Sequence, residues 1–423
     1  MVYLYTVYSL CCLALLVAGV IEQRNHNRNL NTIPHRVLVN GIRGKSSITR
    51  LCAGALRGGG KVVVAKTTGT AARFIFPDAS EEPVHRKFGI ANVVEQIGIV
   101  RRAAVYHPDA LVIECMAVMP ALQEINQSKL IRSTIGVLCN VREDHLAEMG
   151  PTLDDVARSL SRSMPEDGIC ITAEKDRLAI LQQEAAKRNC QLIAVDPESV
   201  TDREMAGFGW ITFKENVAIA LAVAEQLGVD RHSALTGMWS APPDRECCRW
   251  PESSTAAKGP IRQHLRRQRP ESTYMNIEQL EKQQLISQPL TMVINCRPDR
   301  MERNGQMGTL AGRVQPQKVV LIGEMTRSAR VNVPEELQSR VVDLGAAPPE
   351  RLVSEVMAVT AEDASIVAVG NIHGQGEVLL HELAALPSWE PQDRTRAESM
   401  LRPPTARTFE VDGKTVFLGR THR

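Results

Sequence analysis

The heptapeptide Gly41-Ile-Arg-Gly-Lys-Ser-Ser47 constrains this chain more than any other feature, because of what flanks it. Before it, Arg36–Asn40 is a short apolar run of strand character. After it, Ser46–Arg57 carries helical spacing and stops at Gly58-Gly59-Gly60. A strand that turns through glycines into a helix gathers backbone N–H groups and the positive helix end at one point, which suits an anionic phosphate. Gly41, Arg43, Gly44, Lys45, Ser46 and Ser47 are therefore expected to bind ATP. Lys45 would reach the terminal phosphates, and Ser46 or Ser47 would offer a hydroxyl to Mg²⁺. Val39 stands where the common phosphate-loop pattern has its first glycine. That departure points away from GTPases and ordinary P-loop kinases.

The rest of the first half alternates in the same way. Lys61–Lys66, Ala110–Cys115, Ile135–Val141, Gly168–Thr172 and Leu192–Val195 read as strands, with helical segments at Ala173–Arg188 and Phe213–Leu227, the latter closed by Gly228. Such alternation predicts a parallel sheet with helices on both faces. A second unit begins near Leu290, with strand candidates Thr291–Asn295, Val319–Ile322, Val341–Leu344 and Ser365–Val369.

Hydrophobic residues make up 43% of the 423 positions and aromatic ones only 4%, so the core must be largely aliphatic. A net charge of +2 gives no drive toward nucleic acid, and none is expected as a partner. Ten cysteines without a Cys-x-x-Cys pair argue against a zinc ribbon or a disulfide framework. Val2–Ile21 is a run of 20 residues without a charge, long enough to cross a bilayer as one helix. No basic residue precedes it, and Arg24 and Arg28 follow it, so a single-pass anchor with a cytoplasmic body is expected.

The expected fold class is α/β: an N-terminal transmembrane helix, a P-loop parallel-sheet ATP-binding domain, then a smaller Rossmann-like α/β C-terminal domain. The expected division is an anchor at 1–22, a linker at 23–35, the ATP-binding domain at 36–244, an irregular stretch at 245–269, the second domain at 270–386 and an irregular tail at 387–423.

Several polar residues fall at strand ends, where ligands of open α/β sheets bind. Glu114 ends its strand and suits Mg²⁺ beside phosphates. Asn140, Asp144 and His145 follow another strand. The Asp-His pair there would bind a second metal or orient a carboxylate substrate. Thr67, Thr68 and Thr70 suit an oxygen-rich ligand, although a plain turn would have the same composition. Arg297, Asp299 and Arg300 follow a strand of the second unit and suit a phosphate or carboxylate; an exposed charged loop is the alternative.

Taken together, these residues resemble the Mur ligase superfamily, whose phosphate loop, strand-end Glu and Asn-x-x-x-Asp-His-Leu block are similar to Gly41–Ser47, Glu114 and Asn140–Leu146. Its helix beginning with Asn resembles Phe213–Gly228, which adds Asn216 to the nucleotide contacts. Within it, the membrane-bound ligase subunits of poly-γ-glutamate synthases resemble this chain at Asn40–Ser46, Lys66–Thr70, Asn140–His145, Pro270–Thr273 and Arg297–Arg300. The resemblance implies ATP, Mg²⁺, glutamate and a growing polyglutamate chain, an acyl-phosphate intermediate, and small membrane subunits of a capsule synthase as partners. Lys45, Glu114 and His145 would be catalytic, and Ser46, Glu114 and His145 would hold metal. The rivals are a membrane-tethered P-loop ATPase or kinase regulating capsule export, another Mur-type amino-acid ligase, and a non-catalytic scaffold.

The sequence departs from that family in two ways. Many members of the superfamily carry a carbamoylated lysine, and no counterpart is identifiable here. Arg245–Arg269 holds seven Lys or Arg residues and no hydrophobic period. The family has Asn-x-Phe-Ala-Ala-Asn-Asp just before Pro-Glu-Ser-Thr, where this chain has Arg262-Gln-His-Leu-Arg-Arg-Gln-Arg269. Codons CGC CAA CAC CTT CGC CGC CAA CGA, read one base later, give Ala-Asn-Thr-Phe-Ala-Ala-Asn. Two compensating frameshifts, near Arg245 and near Pro270, would account for the segment, either as sequencing errors or as real lesions.

Overall fold

The computed structural model describes residues 2–68, 72–85, 92–210, 212–243, 254–255, 258–263, 270–282, 286, 288–361, 364–370, 374–376, 378–379, 408–411 and 414–417. The chain divides into two compact units, Met1–Phe208 with Thr212–Asp244, and Gly209–Ile211 with Arg245–Arg423.

The sheet of the first unit contains β1 (His35–Asn40), β2 (Val63–Lys66), β3 (Arg73–Ile75), β4 (Glu81–Pro83), β5 (Ala110–Glu114), β6 (Ile135–Leu138), β7 (Ile169–Thr172) and β8 (Gln191–Ala194). Their order is β4-β3-β2-β5-β1-β6-β7-β8. All pairs are parallel except β2–β3 and β3–β4. After β1 the chain moves to β2 and returns through β5; it then crosses to β6 and continues outward. The loop leaving β1 therefore sits at the switch point of the sheet, where an open α/β fold forms its crevice. Strands β2, β5 and β6 are buried at every position, as are the last four residues of β1. Helices cover both faces, which is why these strands read as continuous apolar runs.

The Lys45–Gly58 helix lies against the Arg231–Ser240 helix at backbone distance. A Cβ added at Gly237 would stand 2.1 Å from the Gly54 carbonyl oxygen, and one added at Gly58 would stand 2.1 Å from that of Ser233.

The N-terminal helix runs without a break from Val2 to Asn31, so the linker expected at 23–35 is a correction. Tyr3–Asn31 is long and apolar enough to cross a membrane by length and composition. Its far end belongs to the folded unit: His26, Leu30 and Ile33 are buried. His26 Nε2 bonds the Leu130 carbonyl at 2.9 Å. The Arg36 guanidinium donates to the carbonyls of Leu30 at 3.2 Å, Ile33 at 2.5 Å and Arg132 at 2.9 Å. The Leu30 carbonyl lies in the last turn of the helix, where carbonyls lack an intrahelical partner; it accepts from this guanidinium and from the Ile33 N–H at 3.1 Å.

The second unit contains β9 (Ser254–Thr255), β10 (Lys258–Gln263), β11 (Leu290–Cys296), β12 (Lys318–Gly323), β13 (Val341–Gly345) and β14 (Ser365–Gly370). They are ordered β13-β12-β11-β14-β10-β9, and all pairs but β9–β10 are parallel. Two stretches expected to be irregular contain regular structure. Lys258–Gln263 pairs with β14, and β15 (Thr408–Val411) with β16 (Lys414–Phe417) forms an antiparallel pair. The backbone hydrogen bonds of a strand do not need an apolar side-chain pattern, so sequence periodicity misses such strands.

Candidate active site

The phosphate loop leaves β1 through two glycines that only this residue type accommodates. Gly44 lies at φ +81°, and a Cβ on Gly41 (φ +132°) would stand 2.8 Å from Cys139 Cβ. The helix then begins at Lys45, whose Nζ donates to the Gly41 carbonyl at 2.6 Å across the loop. Arg43, Gly44, Lys45, Ser46 and Ser47 are all half-buried.

Strand β5 runs beside β1 with Glu114 opposite Val39. This register brings the Glu114 carboxylate to the first turn of the helix, where its Oε2 accepts from Ser46 Oγ at 2.8 Å and from the Thr68 backbone N–H at 2.8 Å. Ser46, Glu114 and Thr68 are thus brought together. Thr67 is used differently: its N–H donates to the Arg73 carbonyl at 2.9 Å, and its hydroxyl oxygen accepts from Arg73 N–H at 3.2 Å, tying the end of β2 to the start of β3. Thr70 lies outside the described residues.

The segment after β6 grips the other side of the loop. Asn140 Oδ1 accepts from Arg43 N–H at 3.1 Å, and Asn140 Nδ2 donates to the Arg43 carbonyl at 3.1 Å. The Asn140 carbonyl accepts from Ile42 N–H at 3.3 Å. Arg43 also reaches Asp144, at 2.9 Å. His145, at φ +53°, has an exposed ring 3.9 Å from Asp144 Oδ1 and 3.8 Å from Glu148 Oε2. Among the described residues no three His, Cys, Asp or Glu side chains converge as a metal cluster.

Asn216 is buried with its carboxamide facing Gly44; a Cβ there would meet Oδ1 at 3.4 Å. Beside it, burial pushes the Glu215 carboxyl up, while Arg142 at 3.5 Å draws it back. In the second unit, Arg297, Asp299 and Arg300 follow β11. Arg297 pairs with both Asp299 oxygens, at 2.8 and 3.0 Å, and Arg300 stands 3.5 Å from Asp299.

Two buried polar residues have no role of their own in the sequence pattern, Lys66 standing there only as the first residue of the Lys66–Thr70 likeness. Lys66 is fully buried and pairs with Glu95 at 2.8 Å. Glu174 follows β7, buried, and accepts from the Val141 N–H at 2.8 Å. The strand-end argument that found Glu114 applies equally to Glu174; it was overlooked because Ala173–Arg188 reads as one helix. The helix begins at Leu178, because Glu174 Oε1 accepts the N–H groups of Asp176 at 3.0 Å and Arg177 at 3.3 Å.

Comparison with known proteins adds the following. The family described as Mur ligase middle domain matches residues 39–238. The family described as poly-gamma-glutamate synthase CapB C-terminal domain matches residues 270–386. The PGA synthase CapB of Bacillus subtilis (strain 168) is 35% identical over 390 residues, which is 88% of this chain and 96% of that protein. The capsule biosynthesis protein CapB of Bacillus anthracis is 34% identical over 387 residues, 88% and 82% of the two chains. Among solved structures, E. coli FolC in complex with DHPP and ADP superimposes with a TM-score of 0.59 at 14% identity, covering 86% of this chain and 91% of that one. A bifunctional folylpolyglutamate synthase/dihydrofolate synthase with Mn, AMPPNP and L-glutamate bound gives 0.60 at 12% identity, covering 85% and 93%. These two likenesses speak to the fold.

Proposed function

The chain belongs to the poly-gamma-glutamate synthase family of Mur-type ligases and is an ATP-dependent amide ligase; from that premise we propose how its own residues carry the reaction. The observation that carries the proposal is the 2.8 Å contact between Ser46 Oγ and Glu114 Oε2 at the mouth of the phosphate loop.

ATP lies with its phosphates against the amides of Gly41–Ser47 and the Lys45 ammonium, with Asn216 beside Gly44. The oxygen donors of Ser46 and Glu114 fit Mg²⁺, which keeps water and takes few protein ligands. Bound there, Mg²⁺ neutralises phosphate charge. A carboxylate at the end of the polymer attacks the γ-phosphorus, ADP leaves, and Lys45 faces the charge that develops. The acyl-phosphate is then attacked by the amine of the next glutamate; a γ-amide bond forms and phosphate leaves. The residues hold and orient the groups and offset charge, which is most of what phosphoryl transfer requires.

His145 and Asp144 are assigned to the incoming glutamate or to a second metal, and Thr68 and Thr70 to substrate. Arg297, Asp299 and Arg300 are assigned to the nucleotide on the family resemblance. The N-terminal helix is assigned as a single membrane span with the body cytoplasmic, because Arg24 and Arg28 follow the span. Small membrane subunits of a capsule synthase are the proposed partners.

The test is ADP release by membranes carrying the full chain, with and without glutamate, alongside Lys45→Ala. Release that needs glutamate and falls about 10²-fold in the variant is expected. Release indifferent to glutamate would overturn the polymerase reading in favour of an ATPase or kinase.

A further inference from the structure

Beyond the Lys45–Gly41 bond across it, the phosphate loop is held from a neighbouring segment. Its middle, Ile42 and Arg43, is gripped by three hydrogen bonds from Asn140. Asn140 in turn lies just past β6, where the Cys139 N–H still donates to the Asn40 carbonyl at 2.9 Å and the chain then leaves the sheet. The next residue, Val141, gives its N–H to Glu174 Oε2 at 2.8 Å. Glu174 is anchored on its other side by the N–H groups of Asp176 and Arg177, and its own N–H donates to Thr172 Oγ1 at 3.0 Å. Thr172 Oγ1 returns to the Leu138 carbonyl at 2.8 Å, closing the ring of contacts at the ends of β6 and β7.

We propose that Glu174 is a positioning residue for nucleotide: its carboxylate, fixed at the end of β7, holds Val141 and through Asn140 sets the backbone of the phosphate loop. Asn140 is then a clamp on the loop, since both ends of its carboxamide are bonded to Arg43. A carboxylate suits the place because three backbone N–H groups donate to it there, which outweighs the nearby Glu215 carboxyl. Charge-assisted bonds of this kind are stronger than neutral ones and leave little play in what they hold. A shift of a few tenths of an ångström at Arg43 misaims the amides that must meet phosphate oxygens, so the expected loss falls on nucleotide binding before it falls on glutamate.

The inference rests on the reading that Gly41–Ser47 holds ATP. The experiment measures ADP affinity of the full chain in detergent, using a fluorescent ADP analogue. It compares Glu174→Ala, Asn140→Ala, the double variant, and Lys45→Ala. Glu174→Ala and Asn140→Ala are each expected to weaken ADP binding about tenfold, and the double variant little more than either, because both break one relay. A residue that merely stabilises the fold would lower the melting temperature without this non-additivity. Glu174→Asp, too short to span Val141 and the helix start together, keeps the fold and is expected to lose about threefold. Wild-type ADP affinity in both Glu174→Ala and Glu174→Asp, or losses that multiply in the double variant, would overturn the relay. If Lys45→Ala also leaves ADP affinity unchanged, the fault lies in the assignment of the loop instead.

Discussion

Glu114 Oε2 accepts from a side-chain hydroxyl and a backbone amide on different elements. Its orientation is therefore set by the sheet and not by its own rotamer. Glu114→Gln keeps the volume and removes the charge. It is expected to lower the rate of glutamate-dependent ADP release about 10²-fold while fluorescent ADP still binds; a rate within threefold of wild type would remove Glu114 from the reaction. A second residue-scale expectation concerns acid. Arg231, paired with Glu204 at 2.7 Å, and bonds from Thr201 hold its carboxyl at about 2 against an ordinary 4.5. A carboxylate depressed in the folded state contributes stability above its unfolded value, and that contribution fades as pH falls from 4.5 toward about 2. Arg231→Ala should thus unfold at higher pH in an acid titration followed by circular dichroism, and cost about 1 kcal/mol near neutrality. The place of Glu114 and Asn140 at the ends of buried strands was legible in the apolar runs before them. A role was not legible where it depends on which backbone amide the side chain meets. Nothing in the sequence says that Asn140 bonds to Arg43, or that Thr67 ties to Arg73 while the amide of Thr68 holds Glu114.

At the scale of elements, the parallel strands could be read because burial on both faces makes them continuous apolar runs. The β3–β4 hairpin could not: Arg73–Ile75 and Glu81–Pro83 are short and partly charged, and carry no apolar alternation. The helix after β7 was read too long because its start is set by Glu174 and not by a break in apolar spacing. The close seat of the phosphate-loop helix on Arg231–Ser240 was hidden as well, since glycines at 54, 58 and 237 look like weak helix positions until the two backbones are seen to meet. Gly237→Ala forces a methyl into the Gly54 carbonyl. It is expected to destabilise the chain by about 1–3 kcal/mol, seen as a lower melting temperature, and to weaken ADP binding because the displaced helix carries Lys45 and Ser46. An unchanged melting temperature would mean that the helices can separate without loss.

Across the whole molecule, the two family matches end at 238 and resume at 270, leaving the anomalous stretch between them. That stretch nevertheless supplies β10, with Arg262 in register with Val367. The frameshift reading places Ala-Asn-Thr-Phe-Ala-Ala-Asn from position 262. Resequencing the gene should show that frame, and a chain carrying the restored block should exceed this one in glutamate-dependent ADP release. A clean read in the present frame, with no gain on restoring the block, would retire the idea.

The N-terminal helix has a mechanical consequence. A tether of flexible residues would let the catalytic body tumble beneath the membrane. Here the helix enters the folded unit through His26, Leu30 and Arg36, so if it is the span proposed above, the body would take its azimuth and height from that span. One alanine added between Gln23 and Arg24 would rotate the whole body by about 100° and displace it about 1.5 Å. The site would keep its chemistry yet face a different direction, as a lamp does when its bracket is turned.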